Sequence, residues 1–89
     1  MDPPDRRRVK QRIRAWKTDL PAEAGHILLR AIVPVGESVE IEPFEEIQVL
    51  RRVRVGVGTM SLVSRREALY LVAKDDLEER TMRVFGSWR

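Results

Sequence analysis

The N-terminal part of the chain carries widely spaced apolar positions among basic ones. Apolar side chains recur there at intervals of four, three and four residues, at Val9, Ile13, Trp16 and Leu20. That spacing lies on one face of an α-helix. Asp5 follows two prolines just before this face, in the position of a helix N-cap. The pattern predicts a basic N-terminal helix with a narrow buried stripe.

Residues 20–33 fit two different structures. Their apolar positions have the spacing of a helical face that begins near Pro21. The segment 26–33 is equally consistent with a buried strand that ends before Pro34. We favour the strand over residues 26–33, and the helix remains an alternative.

The middle of the chain changes to a period of two residues. Residues 39–42 alternate apolar and acidic side chains, and Pro43 ends this predicted strand. Residues 47–57 show two stretches of alternation separated by residues 50–52, which predicts either two strands or one strand with a bulge. We expect the basic side chains of this segment to share one face: Arg51, Arg52 and Arg54.

A second helix is predicted over residues 65–80. The segment Ser64–Glu67 matches a capping box, in which the first and last side chains satisfy backbone N–H groups at a helix start. Apolar residues then continue at helical spacing. The alternative is a strand over residues 68–73 that turns at residues 74–76. Residues 82–88 alternate weakly and predict a last strand.

Together these elements predict an α+β fold in a single domain of residues 1–89. It would contain the basic N-terminal helix, a small, mainly antiparallel sheet of four or five strands, and the second helix near residues 65–80. A chain of 89 residues is long enough for one modest core. Its 43% of apolar residues indicates a folded domain, not a disordered one.

Nothing in the sequence predicts a membrane span or a secretory signal. The longest apolar segment, residues 27–35, contains Arg30 and Pro34 and has about half of the roughly 20 residues that a span needs. The chain has no cysteine, which excludes disulfides and zinc–thiolate sites. We therefore expect a cytoplasmic protein without membrane contact.

Charge is distributed in three blocks along the chain. Residues 1–17 hold seven basic and two acidic side chains, residues 18–50 hold one basic and seven acidic, and residues 51–89 hold nine basic and five acidic. The formal net charge is only +3. A dense basic block can neutralise phosphates and release their counterions, or it can pair with the acidic block of the same chain or a neighbouring subunit.

The basic block favours a small, non-catalytic nucleic-acid-binding protein, with RNA slightly ahead of DNA. The alternative is a protein-interaction module, a homo-oligomer or a subunit of a larger assembly that docks through its complementary charge blocks. For the first function we expect contacts to phosphates instead of base edges. The predicted nucleic-acid-binding residues are Arg6, Arg7, Arg8, Lys10, Arg12, Arg14, Arg51, Arg52 and Arg54.

The sequence contains no convincing catalytic motif. His26, the one histidine, has no adjacent serine or acidic residue that would make a nucleophile–base pair. The acidic residues 75–79 lack the glycine of a cation-binding loop, and Gly56 and Gly58 lack the third glycine of the dinucleotide fingerprint. We therefore predict no enzyme activity, no catalytic residue, no metal site and no cofactor. A helix-turn-helix over residues 50–66 is disfavoured because its valines alternate like a strand.

Four short segments resemble, in their order, motifs of the carbon storage regulator family of RNA-binding proteins. The segments are Ile27–Arg30, Gly36–Ile41, Val53–Val57 and Arg66–Tyr70. In that family an arginine of the first strand and one at the start of the C-terminal helix bind RNA, so the resemblance implies this role for Arg30 and Arg66. The similarity covers about half of the chain and leaves the predicted N-terminal helix unmatched, so we assign no family from it.

Overall fold

The computed structural model describes residues 4–18, 37–55 and 58–84. Within them, 67% of the residues are in strands and 12% in helix. The elements in chain order are β1 (Asp5–Val9), β2 (Ile13–Lys17), β3 (Ser38–Ile41), β4 (Glu46–Val55), β5 (Gly58–Arg65), β6 (Ala68–Ala73), α1 (Lys74–Arg80) and β7 (Thr81–Arg83). The predicted α+β fold with four or five strands is therefore wrong, because the described residues form seven strands and one short helix.

The strands form one antiparallel sheet in the order β3-β2-β6-β5-β4-β1-β7. Residues 10–12 connect β1 to β2, although three strands lie between these two in the sheet. Four steps of extended chain from Val9 to Ile13 reach at most about 14 Å. Four strand spacings in a flat sheet span about 19 Å. The sheet must curl to bring β1 and β2 together, and it forms a half-barrel.

Two apolar clusters lie on opposite faces of the sheet. The larger one faces α1, and we call this side the helix face; it contains Val9, Ile13, Ala15, Ile41, Ile47, Val63, Tyr70, Val72 and Leu77. The smaller cluster lies on the opposite face and is formed by Val53, Leu62 and Leu71. Adjacent residues of a strand point to opposite sides, so Leu62 and Val63 of β5 supply one side chain to each cluster.

A β-bulge divides β4. Its register on β5 shifts between Val49 and Arg51, so Leu50 is the extra residue. One strand with a bulge is thus the correct alternative for this segment. The expectation that its arginines share a face is wrong. Arg52 and Arg54 pair with Ser61 and Thr59 on the helix face. Arg51 pairs with Leu62 of the smaller cluster and therefore lies on the opposite face.

The predicted basic N-terminal helix is also wrong, because the same residues form β1 and β2. Val9 ends one strand and Ile13 begins the next, so their spacing of four reflects a connection and not a helical turn. Ile13 and Ala15 are buried in alternation with exposed Arg14, as expected of a strand. The half-buried Trp16 lies on the face opposite to these two residues.

The predicted helix over residues 65–80 is correct only in its last part. Ser64 and Arg65 end β5, and Arg66 and Glu67 form the turn of a β-hairpin with φ angles of 51° and 68°. The rival strand over residues 68–73 is correct and corresponds to β6. Helix α1 contains just seven residues.

The remaining predicted elements are β3, the segment 20–33 and the last strand. The strand predicted over residues 39–42 is confirmed as β3, shifted by one residue. The choice between helix and strand for residues 20–33 lies outside the described residues, as does the end of the predicted last strand, of which β7 is the described part. No helix among the described residues is long and apolar enough to cross a membrane.

Candidate anion-binding site

Two of the predicted binding residues in β1 are paired with one glutamate of β4. Arg6 and Arg8 each donate from Nη2 to the carboxylate of Glu46, at 3.1 Å in both cases. The three side chains lie on the sheet face opposite to α1, where they are exposed to 40–48%. The hydrogen bonds from Arg8 and Arg6 lower the pKa of the Glu46 carboxyl. These two arginines therefore already have a partner on the sheet.

The connection between β1 and β2 shows the same pairing. Arg12 Nε lies 3.1 Å from Glu42 Oε1 and 3.5 Å from Glu40 Oε1. Lys10 and Arg14 are exposed and make no ion pair with any residue in the described ranges. Three of the seven cations of the basic first block thus pair with glutamates of the acidic middle block of the same chain.

A cavity of about 250 Å³ lies on the helix face, between α1 and strands β1, β4, β5 and β7. Five basic residues line it: Arg7, Arg51, Arg52, Lys74 and Arg83. Since the Arg51 side chain lies on the opposite face, four basic side chains of the helix face surround the cavity. Two acidic side chains, Asp5 and Glu78, also reach it. The buried Ser61 adds a hydroxyl group that can donate or accept a hydrogen bond. The lining therefore has a clear excess of positive charge.

Arg7 is a largely buried basic residue at the wall of this cavity. It is 14% exposed, and its Nε and Nη2 donate to the two carboxylate oxygens of Asp5 at 2.8 and 3.3 Å. Its Nη1 donates to Thr81 Oγ1 at 3.4 Å. Arg83 Nη2 lies 3.9 Å from the same Asp5 carboxylate. One carboxylate thus stands between two guanidinium groups at the wall of the cavity.

The other wall carries cations that are less neutralised. Lys74 Nζ lies 3.8 Å from Glu78 Oε2 across one turn of α1. Arg52 makes no ion pair with the residues that the structure describes, and neither does Arg54, its neighbour on the same face of β4. Ion pairs between exposed side chains contribute little, so the Lys74 ammonium group remains available to a ligand. An anion in the cavity would meet Arg52 and Lys74 without first displacing a strong partner.

The β-bulge places Arg52 in this cavity. The pairing of Arg52 with Ser61 puts its side chain on the helix face, beside the apolar lining residues Val49 and Leu77. In a regular strand, Val49 and Arg52 are three residues apart and would point to opposite faces. The extra residue Leu50 puts both side chains on the helix face. The bulge also increases the local twist of the strand.

Of the nine predicted binding residues, the structure brings Arg7, Arg51 and Arg52 together at this cavity and places Arg54 next to it. The N-terminal set does not form a helical face. Lys74 and Arg83 were not predicted, because α1 and β7 reach the cavity only through tertiary packing. Arg66, implied by the resemblance, lies in a hairpin turn and not at a helix start, and Arg30 lies outside the described residues.

A second feature lies at one corner of the sheet. Phe44 is 85% exposed and has a φ of 76°, which is unusual for a bulky residue. Arg66 and Glu67 complete the set of non-glycine residues with positive φ in the described ranges. Glu45 joins the two turns, because its carboxylate pairs with Arg65 at 2.9 Å and with Arg66 at 3.7 Å.

The chemistry of the cavity is that of anion binding. Arginine and lysine donate charge-assisted hydrogen bonds to carboxylate and phosphate oxygens, and one guanidinium group can donate two parallel bonds.

Among the residues that the structure describes, no group of three or more histidine, aspartate or glutamate residues could hold a metal ion. No protein-family model, curated protein or solved structure matches the chain significantly.

Proposed function

We propose that the protein is a small, non-catalytic nucleic-acid-binding protein that contacts phosphates through the helix face of its sheet. The observation that carries the proposal is the cavity, where four basic side chains of the helix face (Arg7, Arg52, Lys74 and Arg83) face two acidic ones. The contact surface would consist of this cavity and the adjacent Arg54. It differs from the arginine-rich N-terminal face expected from the sequence, because Arg6, Arg8 and Arg12 of that face are paired with glutamates.

The arrangement favours phosphate contacts over base recognition. Guanidinium and ammonium groups at the wall of a cavity attract any phosphate, whatever base it carries. The exposed aromatic side chain Phe44 lies in the turn between β3 and β4 and does not line the cavity. Stacking of bases beside the phosphate contacts is therefore not part of the proposal.

Salt-dependent binding tests this function. Wild-type protein is titrated into a labelled single-stranded RNA and a DNA of the same base order, at several salt concentrations, with fluorescence anisotropy as the measurement. We expect affinity to fall steeply with salt, because binding releases counterions from the strand. We expect RNA to bind slightly more tightly than DNA.

Two charge-matched variants locate the surface. Arg52→Gln with Arg54→Gln removes two cations of the helix face, and each lost phosphate contact should reduce the salt slope by about one. Arg6→Gln with Arg8→Gln removes two cations that are already paired with Glu46. The first variant should weaken binding much more than the second. Equal losses, or no binding by the wild type at low salt, would contradict the proposal.

The second candidate function is a protein-interaction module, favoured by the exposed Phe44. Aromatic side chains and arginines are enriched in the centres of protein interfaces. The neighbour of Phe44 in the chain, Glu45, pairs with Arg66, whose side chain is 78% exposed. Sedimentation of the wild type and of Phe44→Ser distinguishes this function: a mass above that of the monomer that falls to the monomer in the variant supports a homo-oligomer. A monomer in both cases excludes self-association through this corner.

A further inference from the structure

We propose that the cavity beneath α1 binds a phosphomonoester group, such as the terminal phosphate of a nucleic acid strand, and that Asp5 is the counter-ion this group displaces. The nucleic acid strand in this statement rests on the proposed function. The preference of the cavity for a terminal phosphate is a separate property that can be tested with inorganic phosphate alone.

The size of the cavity favours one phosphoryl group. Pockets for drug-sized ligands have volumes of about 300–1,000 Å³. This cavity, of about 250 Å³, lies just below that range. At about 30 Å³ for each water in the liquid, it has the volume of roughly eight waters. A phosphoryl group with part of its hydration shell fits such a space.

The charge of the cavity favours a dianion. Phosphomonoesters carry a charge of about −1.5 to −2 at neutral pH. A phosphodiester within a strand carries a single negative charge. Four basic and two acidic side chains of the helix face leave more positive charge than one diester group can balance. A terminal phosphate therefore gains more from this lining than an internal phosphate does.

The geometry of Asp5 indicates where the phosphate would lie. Its two carboxylate oxygens accept from Nε and Nη2 of Arg7, a paired arrangement that guanidinium groups also make with phosphate oxygens. Arg83 approaches the same carboxylate at 3.9 Å. Asp5 therefore occupies the donors that a phosphate would use, and it competes with the ligand. Arg52 and Lys74, on the other wall, would contact the phosphate without this competition.

Short RNA strands with one internal label test the preference. Three strands of the same sequence carry a 5′-phosphate, a 3′-phosphate or no terminal phosphate, and anisotropy gives their dissociation constants. We expect at least one phosphorylated strand to bind about tenfold more tightly than the unphosphorylated one, which corresponds to about one charge-assisted hydrogen bond. Asp5→Asn removes the competing charge at nearly constant shape and should increase this preference. Arg52→Gln should remove most of it.

Matched variants guard against general charge effects and misfolding. Arg14→Gln removes an exposed cation outside the cavity and should leave the preference unchanged. Glu78→Gln removes the other acidic group of the lining without touching Arg7, so it should act in the same direction as Asp5→Asn even if the latter variant folds poorly. Equal affinities for the three strands in the wild type and in both of these acidic-to-amide variants would overturn the proposal.

Inorganic phosphate separates this proposal from the proposed function. Titration of phosphate into the protein, followed by amide NMR, should shift the signals of Ser61 and Lys74, more strongly in Asp5→Asn. If these shifts occur and no strand binds, the cavity is a phosphate site and the nucleic-acid function fails. If strands bind without any preference and phosphate shifts no signal of the cavity, the function stands and the phosphomonoester site fails.

Discussion

Arg65 donates from Nε to Oε1 of Glu45 at 2.9 Å, and this pair joins the β3–β4 turn to the β5–β6 hairpin. Both side chains are largely enclosed, with 16% and 19% exposure. Glu45 also accepts from the backbone N–H of Glu42 within its own turn, and the Arg65 guanidinium lies 5.7 Å from the centre of the Tyr70 ring. Glu45 thus organises the corner at which Phe44 is exposed.

The Glu45 pair should make the stability of the protein depend on pH. Burial alone raises the pKa of the Glu45 carboxyl, but hydrogen bonds from the Glu42 backbone and from Arg65 outweigh it, so that the pKa lies below its ordinary value of 4.5. A carboxyl with a lowered pKa stabilises the fold above that ordinary value. This contribution is lost as the pH falls through the folded-state pKa.

Glu45→Gln should therefore reduce the free energy of unfolding by about 1.5–3 kcal/mol at neutral pH, the usual contribution of a hydrogen bond to a charged group. Urea unfolding at a series of pH values measures it. The difference from the wild type should shrink as the pH falls below 4.5. Glu67→Gln is the control, because Glu67 is exposed and makes no ion pair within the described ranges. A difference that persists unchanged in acid would show that the carboxylate charge is not the cause.

The β5–β6 turn should be improved by a better turn sequence. Its two central residues, Arg66 and Glu67, both have positive φ, as in a type I′ turn, which favours Asn-Gly. Replacing them by Asn and Gly should raise the free energy of unfolding by about 1 kcal/mol, because these residues adopt positive φ with less strain. The lost Arg66–Glu45 pair is exposed on the arginine side and should matter little. Thermal unfolding measures the change, and a lower Tm would contradict the assignment of strain to this turn.

Phe44 should lower the stability of the fold, because its backbone has a positive φ angle. It follows Pro43 in a turn closed by the Glu45 N–H and the Glu42 carbonyl, and its φ of 76° is the value at which a type II turn favours glycine. Phe44→Gly should stabilise the protein by about 1 kcal/mol, since glycine has no Cβ to oppose this conformation. Phe44→Ala removes the ring but keeps the Cβ, so it should show no such gain. If the two variants unfold alike in urea, the backbone strain is not the reason.

Local alternation predicted more of this fold than the helical pattern did. The strand β3 and the bulged strand β4 follow from a two-residue period, and β6 corresponds to the strand that was the alternative to the helix. The helical spacing of Val9 and Ile13 was misleading, because a three-residue connection happens to reproduce the spacing of a helical turn. The capping-box sequence Ser64–Glu67 was misleading for a similar reason. Its residues adopt a hairpin turn that their types do not favour.

The candidate site could be predicted only in part. Arg52 and Arg54 are visible in the sequence as basic residues of a strand, but their face depends on the bulge at Leu50. Arg83 reaches the cavity because β7 pairs with β1, more than 70 residues away along the chain, through the register Arg7–Arg83. No local pattern indicates such a pairing. The docking of the basic block onto glutamates also depends on strand register, because Arg8 lies directly opposite Glu46.

Leu77 should hold α1 over the cavity. The helix has seven residues and no side-chain hydrogen bond at its N-cap, and helices this short are not stable alone in water. Leu77 is 4% exposed and belongs to the large core cluster, and its carbonyl accepts from the Thr81 hydroxyl. Leu77→Ala should lower the free energy of unfolding by about 2–4 kcal/mol, whereas the volume-conserving Leu77→Met should lower it by less than about 1.5 kcal/mol. Urea unfolding measures the stability of both variants.

Because Lys74 and Glu78 line the cavity from the same helix, Leu77→Ala should also weaken the binding of inorganic phosphate. Unchanged phosphate affinity in a folded Leu77→Ala protein would mean that the anion site does not depend on the position of α1.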